Sequence, residues 1–146
     1  FYPSISIILY KRKDIMNTKL DKILAEISAG ELIDKITILE IKKDKISNEK
    51  KLNEVSKELS SLNSTMNKFI SDKSKILKFK DQLKEINSKL WDVEDGKRIA
   101  EKNNDFGSEF IELARKVYKY NDERAKIKLK INEILGSSII EVKSHF

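Results

Sequence analysis

Apolar residues recur at steps of three and four along most of this chain, and that spacing constrains the fold more than any other feature. Leu52, Val55, Leu59, Leu62, Met66 and Phe69 follow it. So do Ile76, Phe79, Leu83, Ile86, Leu90 and Val93, and then Phe110, Leu113, Val117 and Tyr120, with Ile127, Ile131 and Ile134 resuming the spacing after one position that is not apolar. Each set lays one apolar seam along a helix, the pattern of helices that pair by supercoiling. A single Pro and four Gly in 146 residues leave these stretches almost uninterrupted. The expected fold is mainly all-α: a long antiparallel coiled-coil hairpin joined to a third helix, with short extended segments near both ends.

Capping signals place the helix limits. Ser28 followed three residues later by Glu31 can satisfy two free backbone N–H groups, so a helix is expected to start there. Leu32, Ile36, Leu39 and Ile46 continue it, and the Leu52–Phe69 seam extends it to a helix of about 40 residues, roughly 60 Å if straight. The two stretches are out of phase, which predicts a seam shift or a bend between Ile46 and Leu52. Ser71–Ser74 suits a reversal, after which the second seam is expected to zip back along the first. Phe106-Gly107-Ser108 predicts the next joint with Ser108 as cap, and Gly136 a C-terminal stop. Ile23, Leu24 and Ile27 read as a short extended segment able to pair with Ile139 and Ile140. Residues 16–146 then form one helical domain, with a hairpin arm over about residues 46–85 and a base from 22–45, 86–135 and the tail. Residues 1–15 read as an upstream leader, disordered, with Met16 as the start.

Composition excludes several chemistries. The chain has no Cys, its one His is His145, and Gly30, Gly96, Gly107 and Gly136 are far apart. A Cys/His zinc site, a Cys nucleophile, a Ser-His-Asp relay and a glycine-rich phosphate loop are therefore not expected. The lack of Cys suits a reducing cytoplasm, the expected location. The apolar run Phe1–Tyr10 precedes its basic residues, the reverse of a secretory signal, and is too short to span a bilayer, so no membrane association is expected. A net charge of +6 invites nucleic acid as a partner. However, 26 of the 30 basic residues are Lys, scattered along the chain, and nucleic-acid binding through them ranks low among the expectations. Lys42, Lys43, Lys45, Lys50 and Lys51 read as a solvated face.

The polar residues that break the pattern are the candidate site. Arg98, Arg115 and Arg124 are retained in a Lys-dominated chain, which points to a need for the planar guanidinium fork. Arg124 falls where the third seam asks for an apolar residue, beside Asn121 and Asp122. Glu31 and Asp34 share a helix face, as do Asp92 and Asp95. Two such pairs on facing helices would hold Mg²⁺ or Mn²⁺, and the Arg residues around them would suit a phosphate-bearing small molecule. The plainer reading is a buried Arg124 paired with an acid for register, with the remaining acids in surface ion pairs. Tyr118 flanks the third seam, as a packed aromatic or as a stacking wall.

Several blocks are similar to a known family. Gly30-Glu31-Leu32-Ile33-Asp34-Lys35-Ile36-Thr37-Ile38-Leu39-Glu40-Ile41-Lys42 resembles the opening signature of a bacterial and phage family of short helical proteins of unknown function. Leu90–Asp95, Phe110–Arg115 with Val117-Tyr118, Asn121–Ala125 and Ser138–Ser144 resemble its other blocks. The resemblance spans nearly all of residues 23–145 and singles out Glu31, Asp34, Asp92, Asp95, Arg115, Asn121, Asp122 and Arg124. It implies no activity or cofactor, and only a contextual link to surface-glycan biosynthesis. The leading expectation is a non-enzymatic helical module that self-associates or holds a protein partner, needing no cofactor. The second is a Mg²⁺- or Mn²⁺-dependent enzyme acting on a phosphate ester or nucleotide sugar.

Overall fold

The computed structural model describes residues 19–144. The leader expected at residues 1–15 and His145 lie outside them. Four helices follow in order: α1 Ala29–Lys45, α2 Glu49–Phe69, α3 Leu77–Lys102 and α4 Ser108–Leu135, with a single 3₁₀ turn at Lys73–Lys75 between α2 and α3. The all-helical class agrees with the sequence reading. No strand occurs among the described residues. Ile27 and Ile139 line one groove of about 690 Å³, while Ile23 and Leu24 are exposed, and the two segments do not pair as strands.

The expected 40-residue first helix is two helices. The phase conflict between the two seams is settled by a break, not a bend. Ile46 turns to extended backbone (ψ 130°), and Asn48 restarts the helix by accepting a hydrogen bond from the Lys51 N–H at 3.0 Å. Folding back lets α2 run antiparallel to α1, with Ser56 and Leu59 near Lys43 at one end and Thr65 and Phe69 near Leu32 at the other. The expectation that Leu52–Phe69 pairs with the second seam as an arm over 46–85 is thereby corrected: α2 packs on α1.

α1 is the hub and touches each of the other three helices. Ile33 and Ile36 are fully buried, and with Leu32 and Leu39 they join Val55, Leu59, Met66, Leu83 and Ile131 in one core. Each such side chain contributes about 1.5–3 kcal/mol through burial. α3 and α4 form the other antiparallel pair: Phe79 lies by Lys130, Lys89 by Tyr120 and Gly96 by Leu113. Gly107 caps α4, so Ser108 is its first residue and not the cap. Gly136 ends α4 in the left-handed conformation (φ 61°), as its position predicts.

The pair outlasts the hub. Val93 is the last buried residue of α3 and Lys128 the first of α4, with none between them. Past the Lys45–Asp92 pair at the end of α1, the last turns of α3 and the first turns of α4 continue as a two-helix arm. No described helix is long and apolar enough to cross a membrane.

Candidate polar site at the bundle base

The N-terminus of α1 meets the C-terminal half of α4 closely because Gly30 has no side chain. A Cβ there would overlap the Lys128 carbonyl oxygen. Every free N–H of the first turn finds an acceptor. Ala29 donates to Ser137 Oγ at 3.1 Å, Gly30 to Asn132 Oδ1 at 2.6 Å, Glu31 to Ser28 Oγ at 3.1 Å and Leu32 to the Ser28 carbonyl at 3.1 Å. The Ser28 half of the cap read from the sequence is thus present; the Glu31 side chain turns instead to Lys128 and Lys35, and α4 and the tail complete the helix end.

One turn further on, Asp34 has no exposed surface. Arg124 grips it with two bonds, Nε to Oδ1 at 2.9 Å and Nη2 to Oδ2 at 2.5 Å. Asn87 of α3 donates to Oδ1 at 2.9 Å and to Thr37 Oγ1 at 3.0 Å, while Thr37 donates to the Asp34 carbonyl at 2.8 Å. Lys128, the next residue on the Arg124 face, reaches Glu31 Oε2 and Glu141 Oε2, both at 2.6 Å, and stands 3.9 Å from Asp34 Oδ2. Arg124 also donates to Asn121 Oδ1 at 3.3 Å. The network therefore ties α1, α3, α4 and the tail together. Among the described residues no buried side-chain polar atom lacks a partner.

The charges reinforce one another. Burial pushes the Glu31 carboxyl up and Asp34 adds to that, but the hydrogen bond and charge of Lys128, with Lys35, bring its pKa below the ordinary value. Burial pulls the Lys128 ammonium down, and its bonds to Glu141 and Glu31 more than reverse this. The bond to Asp34 raises Arg124. All three ionised forms are favoured, and the Asp34 carboxylate is closed to solvent.

Among the residues predicted from sequence, the structure brings together Glu31, Asp34, Asn121 and Arg124, and it leaves the others elsewhere. Asp122 pairs with Lys143 of the tail on the outer face of α4. Asp92 pairs with Lys45 at 3.1 Å, at the far end of α1, about 16 Å of helix from Asp34. Asp95 and Arg98 are exposed beyond it. Arg115 faces Glu112 at 3.6 Å, and Tyr118 is 55 % exposed on the arm. The expected convergence of Glu31 and Asp34 with Asp92 and Asp95 on a metal ion does not occur. Asp34 meets α3 at Asn87, eight residues or about 12 Å before Asp95. No group of three or more His, Cys, Asp or Glu among the described residues is arranged to hold a metal.

Asn87, Lys128, Asn132, Ser137 and Glu141 went unread in the sequence. One signal was available: Lys128 and Asn132 follow Arg124 at successive steps of four on one helix face. In a chain this rich in Lys and Asn, that spacing carried little weight.

No curated protein and no solved structure matches this chain. Residues 23–146, which include the whole network, match the DUF6165 family, described as a family of unknown function, and the chain belongs to it.

Proposed function

We propose that the protein is a non-enzymatic helical binding module whose base is locked by the Asp34–Arg124 network and whose α3/α4 arm receives a protein, either another molecule or a second copy. The observation that carries this reading is the state of the arm. Between Val93 and Lys128 nothing is buried, yet Ile99 is 62 % exposed, Phe106 50 %, Ile111 54 % and Tyr118 55 %. Apolar side chains at helical spacing on a two-helix projection lack the cover that a third helix would supply, and they gain free energy when a partner supplies it. The base has a different character. Its acids are already matched by Arg124 and Lys128, which suits a lock more than a reacting group.

The test compares the full chain with an Ile99→Asp/Ile111→Asp variant in self-association and in capture of proteins from host extract. Loss of association with helicity retained is the expected result. A wild-type chain that stays monomeric at its highest soluble concentration and captures nothing would end the reading.

A further inference from the structure

We infer that the segment after Gly136 is a detachable strap over the C-terminal half of α4, and that Lys128 beneath it is a docking point for a partner's extended acidic peptide, a place the chain fills with its own Glu141. The inference stands apart from the arm. Its groove is lined by Ala125, Lys128 and Leu129 of α4 together with the strap, and no residue of the arm contributes.

The charges of the base call for one more acid. Glu31 and Asp34 face Arg124, Lys128 and Lys35, so without Glu141 this group carries one positive charge in excess. An ammonium has three N–H donors; Glu31 takes one at 2.6 Å, and Glu141 takes another from the strap side, also at 2.6 Å. Withdrawing Glu141 strands no buried charge, because Lys128 keeps Glu31 and stands 3.9 Å from Asp34. The Glu141 side chain is 59 % exposed, so an acid arriving from solvent can reach the position it holds.

The strap is held lightly. Ser137 fixes where it leaves α4 by accepting from the Ala29 N–H and donating to the Ile139 carbonyl. Beyond that point two ion pairs hold it, Glu141 to Lys128 and Lys143 to Asp122. Among the described residues, 139–143 form no backbone–backbone hydrogen bond. Alternate side chains of an extended segment point to opposite sides. Glu141 and Lys143 turn to α4, whereas Ile140 is 50 % and Val142 84 % exposed. The strap therefore grips by charge and leaves Ala125 and Leu129 lining a groove of about 440 Å³. A peptide that kept the acid on Lys128 and set an apolar neighbour into this groove would bury surface that the strap leaves open.

A labelled peptide with the sequence of residues 138–144 is the probe, and fluorescence anisotropy against the full chain is the readout. Loosening the strap with Glu141→Ala/Lys143→Ala should raise probe affinity about tenfold or more over wild type, because the strap in place competes at high effective concentration. Both positions lie outside the helices, so helicity should be unchanged while amide exchange across 139–143 quickens. In the loosened chain a Glu141→Gln probe should bind about fivefold or more weakly, and Leu129→Ser should weaken the original probe about threefold. Ile99→Asp/Ile111→Asp should leave probe binding unchanged, which separates this site from the arm. Equal binding to the wild-type and loosened chains, or of the Glu and Gln probes, overturns the docking point; unchanged exchange in the loosened chain overturns detachment. A wild-type dimer abolished by Glu141→Ala would give the groove to the strap of a second copy and overturn the partner peptide.

Discussion

Arg124 closes a two-point ion pair on Asp34 across 90 residues of sequence, and the carboxylate it holds has no exposed surface. Two planar groups matched at both oxygens fix the rotation of α4 against α1 as well as the distance between them. Removing one partner leaves a buried charge without its counter-ion, while removing both leaves only a polar cavity to fill.

Arg124→Ala should therefore cost about 3–5 kcal/mol, read as the change in urea-unfolding free energy. Combining Arg124→Met with Asp34→Asn should return much of that loss, because the amide no longer demands a counter-charge and Asn87 stays within reach of its oxygen. A double variant no more stable than Arg124→Ala would show that the pair contributes through shape and not through charge.

Acid should loosen the base before it affects the arm. The Glu31 pKa lies below its ordinary 4.5, so its contribution to stability is present above that value and is lost as the pH falls through the lower folded value. Lys128 is raised, so its contribution is full below its ordinary pKa and disappears only as strong alkali passes the folded value. The unfolding midpoint should hold level between about pH 6 and 9 and drop on acidification below about 4.5. Glu31→Gln should flatten part of that acid limb, and an unchanged limb would assign the drop to other acids.

Gly30→Ala should destabilise by about 1–3 kcal/mol, since the added Cβ meets the Lys128 backbone carbonyl, which cannot swing away as a side chain can. Gly107→Ala is the control. Its nearest neighbour would be Asp105 Oδ1 at 3.4 Å, an ordinary contact, so the change should cost only the exchange of glycine for alanine at a helix N-cap, below about 1 kcal/mol. Thermal unfolding of the two variants side by side separates close approach from a general loss of glycine.

Asn48→Ala should cost about 1 kcal/mol by removing the acceptor for the Lys51 N–H at the start of α2. The loss should appear as faster amide exchange in the first turn of α2. Equal protection in the variant would mean that packing of α2 on α1 alone sets where the helix begins.

Much of the local structure was legible. The Ser28 cap, the Ser71–Ser74 reversal, the joint at Phe106–Ser108 and the stop at Gly136 follow from the chemistry of single residues and their near neighbours. Arg124 was legible as an anomaly, an Arg on a face that asks for an apolar side chain. Its acid was not, because Glu31, Asp34, Asp92 and Asp95 are equivalent by spacing, and only the stagger of α1 against α3 and α4 separates them. Lys128 was missed for a related reason: one lysine among 26 looks like the others until burial to 7 % exposure distinguishes it.

The sequence by itself determined that the chain would be helical, where most helices begin and end, and which side of each is apolar, because caps and periodicity act within a turn or two. The tertiary structure decided which apolar sides meet. The mismatched seams of Leu32–Ile46 and Leu52–Phe69 would suit one bent helix or two folded ones. The outcome was set by the gain from burying Leu59 and Met66 against Ile36 and its neighbours, a sum over contacts distant in sequence. That choice placed α2 on α1, freed the far ends of α3 and α4 to project, and kept Asp92 and Asp95 away from Asp34.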